Sequence, residues 1–203
     1  MILAIDTSTG ACSAALFDSS GACVRRADEQ IGRGHSERLV PMIAELLDGE
    51  SAERIVVGVG PGSFTGIRVG IAAAHGMAIG WDAQLEGMSS LALIALGAGT
   101  GGPVAAVMTG GHGELFVQQF DQDPLRPLTP LLNLTPADAA AHISAETLAG
   151  PGAAALLAAR GWGDAVESWP SASAAFDLPE ALRSLDPKPL YARAPDARPR
   201  EAA

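Results

Sequence analysis

The chain has 203 residues, 13 of them Lys or Arg against 23 Asp or Glu, for a formal charge of −10 and a pI of about 4.7. Apolar residues make up 48% and charged ones 18%, which suits a sizeable buried core and excludes a disordered chain. The acidic excess is shared, with 6 basic against 11 acidic residues in 1–100 and 7 against 12 in 101–203. Tight independent RNA binding is thereby disfavoured, because phosphate neutralisation by Lys and Arg supplies most non-specific affinity.

Residues 2–5 form a short apolar run ended by Asp6-Thr7-Ser8-Thr9-Gly10, and 12–17 form a second ended by Asp18-Ser19-Ser20-Gly21. With a third strand over 23–30 these predict an antiparallel meander joined by turns. From Ser36 the period changes: Leu39, Val40, Ile43, Leu46 and Leu47 recur at helical spacing, with Ser36 as N-cap and Gly49 as the stop. Residues 55–59 are a β-branched strand covered on both faces, followed by the turn 60–66.

Residues 67–81 read as a helix rich in Gly and Ala, among them Gly70, Gly76 and Gly80. Each glycine costs a helix about 1 kcal/mol relative to alanine, so close approach of another backbone is the expected compensation. A strand over 84–88 and a helix over 89–96 complete a first lobe, 1–98, and the Gly-rich tract 97–102 reads as a flexible joint. A reduced second lobe, 103–186, is expected to hold strands over 104–108 and 114–120, a Pro-rich connection, and helices over 136–148 and 153–160. It reads as a degenerate repeat of the first, in an α/β chain. Residues 187–203 are expected to be an extended, partly disordered tail.

Asp6-Thr7-Ser8-Thr9 between two strands can cradle a phosphate through successive N–H groups and hydroxyls, with Asp6 holding a magnesium-bound water. The same residues also suit a hairpin turn whose side chains satisfy local N–H groups. Gly60 and Gly62, in a strand-to-helix turn, offer a second anion-holding element or simply close packing. The turn 58–68 is neither a Walker loop nor a GxGxxG, and no G-x-S-x-G elbow is present, so Ser63 and Thr65 have no triad context. His35, His75, His112 and His142 include no pair at helical metal spacing. Cys12 and Cys23 are expected to be reduced core thiols. No run approaches the roughly 20 apolar residues that cross a bilayer, and no basic leader opens the chain, so a soluble cytoplasmic protein is expected.

Residues 2–9, the segment His35-Ser36-Glu37-Arg38-Leu39-Val40-Pro41 and above all Gly60-Pro61-Gly62-Ser63-Phe64-Thr65-Gly66-Ile67-Arg68 resemble the bacterial TsaB (YeaZ) family. The resemblance runs over 1–96, weakens, and returns at Leu190-Tyr191-Ala192-Arg193 with Pro195-Asp196-Ala197. It implies an actin-like ATPase (ASKHA, ribonuclease H-like) fold with two lobes of mixed sheets flanked by helices, the second lobe reduced. It also implies a role in placing threonylcarbamoyl on the adenosine next to the anticodon of tRNA. In that pathway TsaB is a non-catalytic partner of the TsaD paralogue, which transfers the group, and the ATPase TsaE joins them.

The paralogue binds a metal through two histidines four apart; by order along the chain, Ser90 and Ile94 stand at those places here. The sequence also departs from its family at 109–113, where an Asp-Ala-Arg run leading to Glu-Val-Tyr is more usual, and only Glu114 is kept. The resemblance therefore implies no metal and no cofactor for this chain. The expected interface with TsaD, or with a second copy when the chain is alone, is a helix pair carrying Leu39, Met42, Ile43 and Leu46 on the first helix and Ala73, Gly76, Met77 and Gly80 on the second, with tRNA touched only through the complex. Two alternatives stand beside this: a nucleotide-hydrolysing actin-like enzyme binding ATP and magnesium weakly through Asp6, Thr7, Ser8, Thr9, Gly60 and Gly62, and an inactive glycopeptidase-like homologue.

Overall fold

Strand β1 (Ile2–Asp6) sits at the centre of a sheet because both its faces are apolar: Leu3, Ala4 and Ile5 are fully buried. The computed structural model describes residues 1–191. β1 pairs antiparallel with β2 (Ala11–Phe17), which pairs antiparallel with β3 (Cys23–Gln30). On its other side β1 runs parallel to β4 (Arg54–Gly58), and β4 to β5 (Gln84–Met88), giving the order β3-β2-β1-β4-β5. Successive side chains point to opposite faces. Leu3, Ile5 and Val57 accordingly pack under helices α1 (His35–Leu47) and α2 (Phe64–Trp81), while Ala4, Ala15 and Val56 pack with α3 (Ser90–Ala98).

The second sheet repeats this plan. β6 (Val104–Thr109), β7 (Leu115–Gln122) and β8 (Leu125–Pro127) form an antiparallel meander, and β10 (Thr147–Ala149) and β11 (Asp164–Val166) run parallel on the far side of β6. The order β11-β10-β6-β7-β8 is that of the first sheet read from its other edge, with β9 (Leu132–Leu134) added against β7. α4 (Pro136–His142) and α5 (Ala153–Arg160) cover the outer face through Ala139, Ile143 and Leu156. α3 lies between the two sheets, in one core with Val104, Ala106 and Met108 of β6 and Ala4 and Val56 of the first sheet. That position explains a helix apolar all round, with Leu91 to Ala95 all buried.

Several expectations need correction. Gly34, at φ 91°, precedes α1, and Ser36 lies inside the helix, its hydroxyl donating to Glu37. The helix expected over 136–148 stops at His142, because Leu148 and Ala149 are buried as β10 between β6 and β11; strand pairing there outweighs alanine's helix preference. Cys12 is buried, but Cys23 is exposed at the start of an edge strand. The tract 97–102 is held at Gln122, whose Oε1 accepts from Thr100 N, Thr100 Oγ1 and Gly101 N.

The chain then returns to the first sheet through α6 (Glu180–Arg183): Leu185 exchanges backbone hydrogen bonds with Gly87, and Leu190 N donates to Val59 O. Of the expected tail 187–203, the part from 192 onward lies outside the described residues. No helix among the described residues is long and apolar enough to cross a membrane.

Candidate functional site

β1 and β4 run parallel and end side by side, so the turns that follow them, 7–10 and 59–63, meet at the carboxyl edge of the sheet. Open α/β sheets place ligands at this edge. Here the two turns first clasp each other. Ser63 N donates to Ser8 O at 2.7 Å, and Thr7 Oγ1 donates to Gly66 O at 2.7 Å. A Cβ at Gly62 would stand 2.1 Å from Ser8 O, and one at Gly66 would stand 2.1 Å from Thr7 O. Glycine is required at both positions because two backbones touch there.

Asp6 is buried beneath this clasp, 1% exposed. Its Oδ1 accepts from Ser8 N at 2.8 Å and Ser8 Oγ at 2.6 Å, and its Oδ2 accepts from Ser90 Oγ at 2.6 Å. A Cβ at Gly58 would sit 2.0 Å from Oδ2. Burial pushes the carboxyl above its ordinary pKa, and the donors on Ser8 and Ser90 pull it back toward the charged form. Asp6 thus ties β1 to α3 and fixes the first turn. The expectation that it holds a magnesium-bound water is corrected: both its oxygens are taken, and it does not face the cleft.

Beyond the clasp lies a cavity of about 800 Å³ between the two repeats. Of the six expected phosphate contacts, Ser8, Thr9 and Gly62 line it. Asp6, Thr7 and Gly60 do not: Thr7 turns toward Gly66 and Gly70, and Gly60, at φ 96°, lies against Ile67. Thr9 Oγ1 accepts from Ala11 N at 3.1 Å, the local hairpin role that the sequence also allowed. From the second repeat the β6–β7 turn contributes Thr109, Gly110 and His112, the segment that departs from the family pattern.

Sequence reasoning missed the group at the mouth of this cavity. Arg68 stacks on Phe64, with its guanidinium carbon 3.4 Å from the ring centroid, and donates to Tyr191 Oη from Nε at 3.1 Å and Nη2 at 2.7 Å. Arg68 and Tyr191 are 123 residues apart, and no local spacing connects them. The available signal was that each lies in a segment carrying the family resemblance.

Comparison with known proteins agrees with this geometry. The family model for TsaD, tRNA N6-adenosine threonylcarbamoyltransferase, matches residues 28–158. The tRNA threonylcarbamoyladenosine biosynthesis protein TsaB of Escherichia coli is 38% identical over 130 residues, covering 60% of this chain and 55% of that protein. The chain thus spans about half the length of that curated relative. An uncharacterized protein of Mycobacterium bovis is 34% identical over 217 residues, 98% of this chain and 94% of its own length. The solved structure of YeaZ from Pseudomonas aeruginosa superposes with a TM-score of 0.78 at 27% identity, over 94% of this chain and 98% of that one. The chain belongs to the TsaB/YeaZ family. Its two mixed sheets flanked by helices are of the actin-like type that membership implies.

The resemblance singles out two positions, Ser90 and Ile94, as the expected counterparts of metal-binding histidines in the paralogue. Ser90 is fully buried and bonded to Asp6; Ile94 is fully buried in the core shared by the two sheets. Among the described residues no three His, Cys, Asp or Glu side chains are grouped to hold a metal ion. His35 is also buried, its Nε2 3.1 Å from Ala11 O.

The expected partner face needs correction. Leu39, Met42, Ile43 and Leu46 belong to the chain's own core, from 0% to 9% exposed, and Ala73 and Met77 pack partly against it. The amphipathic stripe of α1 is satisfied by the first sheet, which a sequence period alone cannot distinguish from an intermolecular seam. What faces outward is the opposite side: Val40 of α1, 57% exposed, and Ile79 of α2, 84% exposed. Beside Ile79, a Cβ at Gly76 or Gly80 would meet nothing within 4 Å.

Proposed function

We propose that this chain is a non-catalytic subunit in the transfer of threonylcarbamoyl to the adenosine next to the anticodon of tRNA. It docks on the TsaD paralogue, with the ATPase TsaE joining the pair. The observation that carries this reading is the outer side of α2: Ala72, Gly76, Ile79 and Gly80 fall on one stripe, are exposed, and leave the backbone open to close approach by another helix. Glycines inside an 18-residue helix weaken it, and among the described residues neither Gly76 nor Gly80 has a neighbour to account for its place. The names of the curated relatives supply the pathway. A second copy uses the same face when the paralogue is missing, since isologous pairing buries such a patch at low cost. The chain acts in the cytoplasm, and tRNA is met through the complex.

The test is Gly76→Arg, with purified TsaD as titrant and tRNA modification reconstituted with and without this chain. Arginine is a better helix former than glycine, so the variant folds at least as well as the parent. Its affinity for TsaD drops at least about tenfold, because a charged chain is forced into an apolar seam. Full binding by a folded Gly76→Arg, or modification that proceeds undiminished without this chain, would overturn the reading.

A second reading, nucleotide binding in the cleft, is favoured by the cavity at the carboxyl edge of the sheet with Ser8, Thr9 and Gly62 on its wall. Calorimetry with ATP and magnesium decides it: saturable micromolar binding supports it, and the absence of heat opposes it.

A further inference from the structure

The chain carries 23 acidic residues against 13 basic ones, yet among the described residues no Asp or Glu lines the inter-repeat cavity, and its one fixed charge is Arg68. Its walls are otherwise mostly apolar, including Ile67, Met108, Phe116 and Trp169. At about 800 Å³ the space falls within the range of pockets that enclose small molecules, roughly 300–1,000 Å³.

The arginine is set rather than loose. Phe64 supports one face of the guanidinium, and Tyr191 Oη takes Nε and Nη2, while Nη1 donates to no described residue. No carboxylate among the described residues forms an ion pair with it. A guanidinium held in this way is ready for an anion, because its ordering cost is met by the fold. A neutral apolar guest would strip water from Arg68 and return nothing. A triphosphate with magnesium would bring several charges to one cation, with Asp6 already engaged on both oxygens.

We infer that the cleft between the two repeats binds a small organic anion with a ring-sized apolar body, its carboxylate or phosphate monoester on Arg68 and its body against Met108, Phe116 and Trp169. This goes beyond the docking role, since it uses the inner end of α2 and the second repeat rather than the outer stripe.

The test uses the full chain and the fluorescent anion anilinonaphthalene sulfonate, with thermal unfolding as the folding control for every variant. The expected result is saturable binding at one site. Arg68→Gln weakens it about tenfold or more, as loss of a charge-assisted hydrogen bond requires. Gly111→Trp, on the cavity wall at a position where a Cβ meets no described residue within 4 Å, abolishes it. Displacement by phenylpropionate identifies a carboxylate ligand, and displacement by adenosine monophosphate identifies a phosphate monoester. Displacement by neither, or unchanged dye binding in a folded Arg68→Gln or Gly111→Trp, overturns the inference.

Discussion

Two glycines of the same helix, ten residues apart, should answer oppositely to one methyl group. At Gly66 an added Cβ lies 2.1 Å from the carbonyl oxygen of Thr7, a backbone atom fixed in the clasp, so the first turn of α2 must move by more than an ångström. The move breaks the Thr7 Oγ1 to Gly66 O hydrogen bond, about 0.5–1.5 kcal/mol. It also disturbs the packing of Ile67 and Ile71, about 1–3 kcal/mol for overpacking. Alanine's helix preference returns about 1 kcal/mol. Gly66→Ala is therefore destabilised by about 0.5–3.5 kcal/mol, which for a chain of this size lowers Tm by about 1–14 °C. At Gly76 the same methyl meets nothing within 4 Å, and only the preference remains, so Gly76→Ala gains about 0.5–1 kcal/mol and its Tm rises by about 1–4 °C. Urea and thermal unfolding at two protein concentrations measure both and reveal any contribution from self-association. Equal shifts of the same sign, or a neutral Gly66→Ala, would refute the argument that the two turns touch through their backbones.

Burial raises the Asp6 carboxyl above its ordinary value of 3.8, so the folded state holds the proton more tightly than the unfolded one. Stability contributed by Asp6 is then greatest below the unfolded pKa and declines as pH rises through the folded one. Asp6→Asn removes that decline, and urea midpoints against pH should show the parent losing ground to the variant as pH rises above about 4. Gln122→Ala removes the acceptor for Thr100 and Gly101 and the donation to Ala95 O. We expect a cost of about 1–3 kcal/mol and faster amide exchange at Thr100 and Gly101, read by hydrogen exchange.

The strands and most helices of the first repeat were legible because their signals are local: β-branched runs, turn clusters, a helical period and glycine stops. The second repeat was harder to read. Leu148 and Ala149 look helical in their Ala-rich surroundings and become a strand only because β6 and β11 offer unpaired edges on both sides. Propensity spans a fraction of a kcal/mol per residue, and a sheet that needs a strand outweighs it.

The candidate site divides along the same line. Composition and motif alone establish the family resemblance and the turn chemistry of 6–9 and 60–66, since each depends only on which residues follow one another. Folding alone assigns direction. Asp6 and Thr7 belong to the clasp because Gly58, Gly66 and Gly70 leave room for them there, and Leu39, Met42 and Ile43 are core because the sheet lies beneath α1. Arg68 meets Tyr191 only when the last described segment returns along β4 and β5. A periodic pattern fixes which residues share a face, but the neighbour that covers the face comes from distant parts of the chain.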